Sequence, residues 1–363
     1  MSNARKLAAN LPSIGSFANR NAVINGSMAV AQRGSVPGLQ TGYGACDRFK
    51  LQSTSAARFD TTQSTDVPSG QGFSNSLKLD CSTADTSLAS GDYYFIMHQM
   101  EGLNLQHLKY GTSDAVQCTL SFWVKSPKTG IHNVEIEHVD GGKFNTHQYT
   151  IASANTWQKV SFTFDGNTAA SIVNDGTCGM LITWWLQAGS AFTSGTHTSG
   201  WFTGNSNRAV GQVNVSDSTS NNFYLTGVQL EVGGKETPFE HEPYETTLRK
   251  CQRYYFRETT TATDAGGRLG VANSGGSVTF SYVLPVQMRS NPSLGITSTN
   301  LRVGDTVSQG FTTTSGSVTI NSYSGSAGAV YNLNGFSGMT SYRTYLHEPD
   351  GASPGIVVFD AEI

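Results

Sequence analysis

The stretch FYLTGVQLEVGGKETPFEHEPYETTLRKCQRYYFR, residues 223–257, separates two predicted β-domains. Its first part, FYLTGVQLE (223–231), has the alternating apolar and β-branched residues of a strand. The run GGKETPFEHE (233–242) is typical of a loop and predicts a glycine-hinged tether. A short helical linker is predicted over 241–257, where one helix face is formed by residues at i, i+4, i+7 and i+11: Tyr244, Leu248, Cys251 and Tyr255. We expect this face to pack between the two domains or between subunits.

Alternating strands upstream of this stretch predict a β-sandwich of jelly-roll type over residues 23–240. In CTLSFWVK (118–125), Cys118 starts the apolar face, whereas Trp123 and Lys125 lie on the opposite face. Further segments alternate in the same way: NVEIEHV (133–139), WQKVSFTF (157–164) and GMLITWWLQ (179–187). Glycine, asparagine and aspartate punctuate the gaps between them, as turns do.

The remaining parts of the chain are a short arm and a second, smaller β-sandwich. In residues 258–363, VTFSYVLPVQM (278–288) and IVVFDAEI (356–363) alternate as strands do. Residues 1–22 carry a short apolar stripe, ended by Pro12 and Gly15, on a polar segment too small to fold alone. The predicted fold class is therefore all-β, with an N-terminal arm, a jelly roll, a helical linker and a C-terminal sandwich.

Composition excludes several classes of function. Charged residues make up 13% of the 363, against about 25% in ordinary soluble proteins. A net charge of −3 provides no basic surface for nucleic acid, and no apolar run is long enough for membrane insertion. A secretory signal is not evident at the start, and the five cysteines form no metal or redox motif. No cofactor is expected, since phosphate-binding and dinucleotide-binding motifs do not occur in a β–α setting.

Several motifs resemble host-contact proteins of tailed bacteriophages, notably tail fibres. They are N-G-x-M-x-x-x-Q-R-G at 25–34, D-R-F at 47–49, and the QLE, TPFE and CQRYY segments of the stretch quoted above. The order of the strands in residues 99–231 also resembles jelly-roll carbohydrate-binding modules. Many such modules hold calcium through an Asp in the last strand, but here Gly227 precedes Val228 and no Asp is present, which argues against a calcium site.

The resemblance implies a virion structural protein, a tail fibre or short tail spike, that is assembled in the host cytoplasm and released by lysis. It further implies a homotrimer that recognises host surface polysaccharide. The arm would dock on a phage tail or capsid protein through its charged and apolar side chains: Arg5, Leu7, Leu11 and Ile14. A capsid decoration or head fibre protein is the alternative.

Candidate glycan contacts are aromatic side chains, because sugars stack their apolar faces on exposed rings. Trp184 and Trp185 point to opposite faces of a strand, so we expect one ring, Trp185, to be exposed. Trp201 lies in a long loop, where it either contacts glycan or packs on the domain. The second domain offers further candidates: Tyr323, Tyr331 and Tyr342.

Glu135 and Glu137 are the one pair of carboxylates with a spacing suited to catalysis. At i and i+2 on a strand they stand roughly 7 Å apart, within the range of an inverting glycosidase. Flanking His138 and Asp140 favour a solvated strand face instead. We therefore expect no enzyme activity, with a glycan depolymerase as the alternative from another class.

Overall fold

The computed structural model describes residues 20–260, 268–296, 301–305, 310–313, 315–321, 324–348 and 355–363. Within these ranges the chain is nearly all β, as predicted, and divides into two compact units on either side of the Thr247–Leu248 bond. The arm residues Arg5, Leu7, Leu11 and Ile14 lie outside the described residues, so their docking role stays a prediction.

Unit 1, which ends at Thr247, contains the strands of the predicted jelly roll. Their bounds are β1 Val36–Leu39, β2 Gly42–Tyr43, β3 Phe49–Ser53, β4 Arg58–Ser64, β5 Ser76–Thr83, β6 Tyr93–Glu101, β7 Cys118–Lys125, β8 Gly130–His138, β9 Lys143–Ile151, β10 Gln158–Phe164, β11 Cys178–Ala188 and β12 Asn222–Val232. Helix α1 (Ser190–Thr193) follows β11, and two 3-10 turns (Gly102–Asn104 and Gln106–Leu108) follow β6.

Two six-stranded antiparallel sheets form this unit. Sheet A has the order β1-β4-β5-β12-β7-β10, and sheet B the order β2-β3-β6-β11-β8-β9. The core lies between them, because the apolar positions of each alternating strand face inward. The predicted inward face of β7 is confirmed, from Cys118 to Val124, and on β11 the inward set includes Trp184. The other face of each sheet points outward, and these two outer faces differ in what covers them.

Unit 2 carries its own sheets and its own core. Its strands are β13 Tyr255–Thr260, β14 Leu269–Ser274, β15 Ser277–Val283, β16 Ser293–Ile296, β17 Leu301–Asp305, β18 Gly310–Thr313, β19 Ser317–Ile320, β20 Gly328–Asn334, β21 Thr344–Glu348 and β22 Gly355–Asp360. They form a three-stranded sheet, β13-β22-β16, and a seven-stranded sheet, β18-β17-β21-β14-β15-β20-β19. Phe280, Val357 and Phe359 are fully buried in this core, as their alternation predicts.

The predicted helix is present as α2 (Tyr244–Gln252), but its apolar face is shorter than the spacing suggests. Cys251 is buried, Leu248 is half-buried and Tyr244 is exposed. Tyr255 is the first residue of β13 and not part of the helix, because its strand pairs with β22, where it lies opposite Asp360. The assignment of Tyr255 to the helix face is therefore wrong, and the role of this face in orienting the domains stays a prediction.

Candidate functional site

The outer face of sheet B is covered by residues 189–213, here called the covering segment. Phe192 of this segment packs on Trp185 of β11, with 5.4 Å between the ring centroids. Phe95 lies 5.3 Å from the same indole ring, and Trp185 is 0% exposed. Trp184 points the other way, into the core between the sheets. The prediction that Trp185 is exposed for glycan stacking is therefore wrong, because the covering segment closes over its face.

The covering segment also places an arginine on the paired glutamates. Arg208 makes a bidentate contact with Glu135, in which Nη2 donates to Oε1 at 2.7 Å and Nε donates to Oε2 at 3.0 Å. Glu137 lies 3.5 Å from the same guanidinium, which rests 3.9 Å from the ring centre of Phe144. Glu135 is 0% exposed, and burial raises its pKa although Arg208 opposes this. The expected solvated face is thus wrong for Glu135, which is held in a buried ion pair.

Trp201 has a packing role. Its indole N–H donates to the Asp165 carbonyl at 2.7 Å, and its half-buried ring meets Tyr110 at 5.9 Å and His138 at 6.2 Å between centroids. Of the two roles that the sequence left open for Trp201, these contacts correspond to packing on the domain.

The three tyrosines predicted in the second domain have different environments. Tyr331 is fully buried in the unit 2 core, so its assignment as a glycan contact is wrong. Its ring stacks against Phe280 at 5.7 Å, since its strand position points inward. Tyr342 is 87% exposed and remains a candidate. Tyr323 lies outside the described residues.

The TPFE segment is tied down on β12 and is not a loose tether. Glu231 accepts from the Thr237 backbone N–H at 2.8 Å and from its hydroxyl at 2.6 Å. Gln229 accepts from the Glu240 backbone N–H at 2.8 Å. The outward Gln and Glu of the QLE motif therefore hydrogen-bond to the chain that returns over their own strand. This contact joins the QLE and TPFE motifs in the folded chain.

The returning segment forms one wall of a groove on the outer face of sheet A. The groove encloses about 470 Å³, and its floor is formed by side chains of β7 and β10 and by the backbone of Gly227 in β12. Trp123 of β7 is central, since it lies directly opposite Lys159 of β10 and Thr226 of β12. Residues directly opposite one another in an antiparallel pair share a face, so this row points outward together. Trp123 is half-buried, which leaves part of its indole ring accessible from the groove.

Aromatic rings from two loops line the walls of the groove. Phe73, from the β4–β5 connection, meets Phe239 of the TPFE segment at 5.0 Å between centroids. His241 completes the cluster, at 5.4 Å from Phe73 and 4.9 Å from Phe239. The remaining lining residues are polar or small: Gln71, Ser121, Lys159, Gly227, Glu236, Thr237 and Pro238. The groove thus combines apolar ring surface with groups able to hydrogen-bond.

Gly227 makes room for these rings. It lies at the β-bulge of β12 between Thr226 and Gln229, with φ at +62°, a region that glycine adopts readily. A Cβ at this position would come within 2.7 Å of Phe73 Cζ and 2.9 Å of Trp123 Cδ1. Gly227 therefore allows Trp123 and Phe73 to approach each other.

Beside the groove, the same face of sheet A carries a second group of rings around a lysine. Lys125 lies over Tyr224, with 4.3 Å between Nζ and the ring centre, and over Trp157 at 5.4 Å. Lys125 also pairs with Asp66, which accepts from the Trp157 indole N–H at 2.9 Å. Partial burial raises the pKa of Asp66, but these two hydrogen bonds bring it below its ordinary value. Asp66 thereby fixes the β4–β5 connection, which also carries Phe73.

The sequence held a partial signal for this groove. The alternation of β7 places Trp123 on the outward face, where a large ring is either covered or available to a ligand. Phe73, Phe239 and His241 lie in irregular segments, so no periodicity relates them to Trp123. They come together only through the bulge at Gly227 and the hydrogen bonds that fold residues 237–240 onto β12.

Within the ranges that the structure describes, no three or more His, Cys, Asp or Glu side chains are grouped as metal ligands would be. None of the helices in those same ranges has the length and apolar character to cross a bilayer.

Comparisons with known proteins place the chain among distant structural neighbours. No protein-family model and no curated protein sequence matches it. One similar structure is the enzymatically active domain of tailspike protein 4 of bacteriophage CBA120, with 12% identity over 59% of this chain and 22% of that chain, at a TM-score of 0.31. A family 4 carbohydrate-binding module is 13% identical over 58% of this chain and 99% of its own, at a TM-score of 0.30.

A third similar structure is the family 11 carbohydrate-binding module from Clostridium thermocellum in complex with a β-1,3-1,4-mixed-linked tetrasaccharide. It is 12% identical over 56% of this chain and 98% of that module, at a TM-score of 0.28. The chain aligns with about a fifth of the tailspike domain's length but with nearly the whole of each module. All three TM-scores lie far below 0.5.

Proposed function

We propose that unit 1 binds a carbohydrate in the groove on sheet A. The observation that carries this proposal is the half-buried ring of Trp123, which forms an aromatic floor beside a wall that bears Phe73, Phe239 and His241. Sugar rings bind to such surfaces through their C–H faces, while their hydroxyl groups hydrogen-bond to polar side chains at the edges. Gln71, Ser121 and Thr237 offer such polar groups around the floor.

The size and anchoring of the groove support this proposal. Ligand pockets for small molecules occupy about 300–1,000 Å³, and this groove holds about 470 Å³. Its walls are fixed in advance, because Glu231 and Gln229 hold the TPFE segment and Asp66 holds the β4–β5 connection. A groove formed before binding loses little conformational entropy when the ligand arrives.

A comparison with the outer face of sheet B also supports the proposal that the carbohydrate binds on sheet A. There Trp185 and Glu135 are both fully buried beneath the covering segment, so neither reaches a ligand at the surface. Among the outer faces of the two sheets of unit 1, sheet A offers the accessible aromatic groove.

The whole-protein role that we propose is a structural protein of a tailed-phage virion, a tail fibre or short tail spike that recognises host surface glycan. The support is the sequence resemblance, together with the finding that its QLE and TPFE motifs build one wall of the groove. The arm would dock on the virion and the subunits would form a homotrimer, whose repeated weak sites would gain avidity. Glycan recognition is proposed as non-enzymatic, because both carboxylates of the Glu135–Glu137 pair contact Arg208.

Titration calorimetry against a panel of bacterial and plant polysaccharides tests the groove. Trp123→Ala should weaken binding by roughly ten- to a hundredfold, because an aromatic platform and its buried area are together worth about 1.5–3 kcal/mol. Val173→Ala removes an exposed apolar side chain of unit 1 outside the lining of the groove and serves as the matched control. Unchanged affinity of Trp123→Ala, in a variant whose circular dichroism is native, would refute the groove. Steady release of reducing ends from any bound polysaccharide would refute the non-enzymatic part.

A further inference from the structure

The charges at the groove are compensated within the protein. Lys159 and Glu236 are the lysine and the carboxylate that line it, and Lys159 Nζ lies 3.2 Å from Glu236 Oε1. The same pattern continues across the outer face of sheet A, where Lys125 pairs with Asp66, and Lys78 lies 2.7 Å from Asp80. A ligand that lies on this face therefore meets lysines that already have a carboxylate beside them.

We propose that the glycan bound in the groove is uncharged, and that Glu236 determines this specificity by neutralising Lys159. This inference rests on the proposed carbohydrate-binding function. Recognition of a uronic acid or a phosphate-bearing sugar uses charge-assisted hydrogen bonds from lysine or arginine. In this groove an anionic group that approached Lys159 would also approach Glu236, and the repulsion would offset the attraction. A neutral sugar encounters no such opposition and uses Lys159 and Glu236 as ordinary hydrogen-bond partners.

The Lys159–Glu236 ion pair can disfavour acidic ligands without holding one fixed geometry. Both side chains are partly exposed, and exposed pairs add little to stability. The selection depends only on the two opposite charges staying within a few ångströms of each other, because their fields then largely cancel at the position of the ligand. Trp123 can stack on any sugar ring, whether neutral or acidic. The discrimination between neutral and acidic ligands therefore depends on the charges of Lys159 and Glu236.

The shape of the floor suits a short segment of a glycan chain. Lys159, Trp123 and Gly227 line the groove from three neighbouring strands. Because adjacent strands are about 4.8 Å apart, the floor that they form is about 10 Å wide. Phe73 of the β4–β5 connection and Phe239 of the TPFE segment meet beside the floor, so the ligand has apolar ring surface beneath and beside it and polar groups at its edges.

Two sets of polysaccharides test this inference: β-glucan, galactan and mannan as uncharged probes, and polygalacturonate and alginate as acidic probes. We expect wild-type protein to bind within the uncharged set, with an affinity that changes less than about twofold between about 0.05 and 0.5 M salt, as screening predicts for a neutral ligand. Glu236→Gln should raise affinity for the acidic probes about tenfold at low salt, because Lys159 then lacks the carboxylate beside it.

Asp80→Asn is the matched control, because it removes the same charge from a lysine pair on the same face but outside the lining of the groove. It should leave binding to acidic probes unchanged. Wild-type binding to acidic probes that weakens with salt and is lost in Trp123→Ala would overturn the inference but uphold the proposed function. An Asp80→Asn gain equal to that of Glu236→Gln would also overturn it. Binding to neither set would overturn the proposed function, and the inference with it.

Discussion

Replacement of Gly227 by alanine is the sharpest structural test of the groove. The residue has φ at +62°, and a Cβ there would lie 2.7 Å from Phe73 Cζ and 2.9 Å from Trp123 Cδ1. The substitution therefore adds backbone strain and also forces two aromatic side chains apart. Gly142 provides a matched control, because its φ is +56° but a Cβ there would meet nothing within 4 Å.

The magnitude follows from these two contributions. A left-handed conformation costs an alanine about 1–2 kcal/mol, and this cost is shared by Gly142→Ala. Overlap with the two rings adds about 1–2 kcal/mol, toward the lower end of overpacking costs, because both rings are only half-buried and can shift. We expect Gly227→Ala to lower the free energy of unfolding by about 2–4 kcal/mol, and Gly142→Ala by about half as much.

Tryptophan fluorescence during denaturant unfolding measures this loss for unit 1 alone. The chain has 5 tryptophans, and all of them precede Thr247. Carbohydrate binding should weaken about tenfold in Gly227→Ala, because displacement of Trp123 and Phe73 disturbs the floor, whereas Gly142→Ala should bind as wild type does. Equal destabilisation of the two variants, or unchanged affinity of Gly227→Ala, would refute the account of this bulge as the residue that makes room for the rings.

Two further predictions concern groups buried beneath the surface. Arg208→Met should destabilise unit 1 by about 3–5 kcal/mol, because it leaves the Glu135 carboxylate buried without its partner; adding Glu135→Gln should recover much of this, and a single variant as stable as wild type would contradict the ion pair's role. Burial lowers the pKa of His98 to about 3 and of His132 to about 4, so both are neutral in the folded protein and protonate first in the unfolded chain. Their contribution is present above the unfolded pKa of about 6.5 and is lost progressively below it. The unfolding midpoint should therefore fall between about pH 6.5 and pH 4, and His132→Phe should reduce that fall; a midpoint that stays level over this range would count against it.

Alternation along the strands was enough to predict the sandwich and its core. On β7 and β11 every second residue faces the space between the sheets, and the inward residues are those that the period of two assigns. The same period assigned Glu135 and Trp185 correctly to the opposite face of sheet B. The period of two does not predict what covers that face, because it gives the direction of a side chain and not its burial.

What covers a sheet is decided by segments without a period. Residues 189–213 carry Phe192 and Arg208 onto sheet B, and neither residue stands in a pattern that relates it to Trp185 or Glu135. Beneath this segment Trp185, which was predicted to contact glycan, is a packed ring. Glu135, which was predicted to be solvated, forms an ion pair with Arg208. The errors at Trp185 and Glu135 therefore have one physical source, which is a long connection that folds back onto the domain.

The same reasoning explains why the groove on sheet A was not anticipated from the stretch that contains its wall. Residues 233–242 are predicted to form a tether because glycine and proline exclude regular structure, and that exclusion is correct. A segment without regular structure is nevertheless held firmly when outward side chains of a strand satisfy its backbone, as Gln229 and Glu231 do for Glu240 and Thr237. The irregular segment on sheet B covers the outer face of that sheet. The irregular TPFE segment on sheet A forms a wall of the groove and leaves Trp123 half-buried. The difference lies in the bulge at Gly227, which places no side chain between Trp123 and Phe73 and so leaves the indole ring within reach of a ligand.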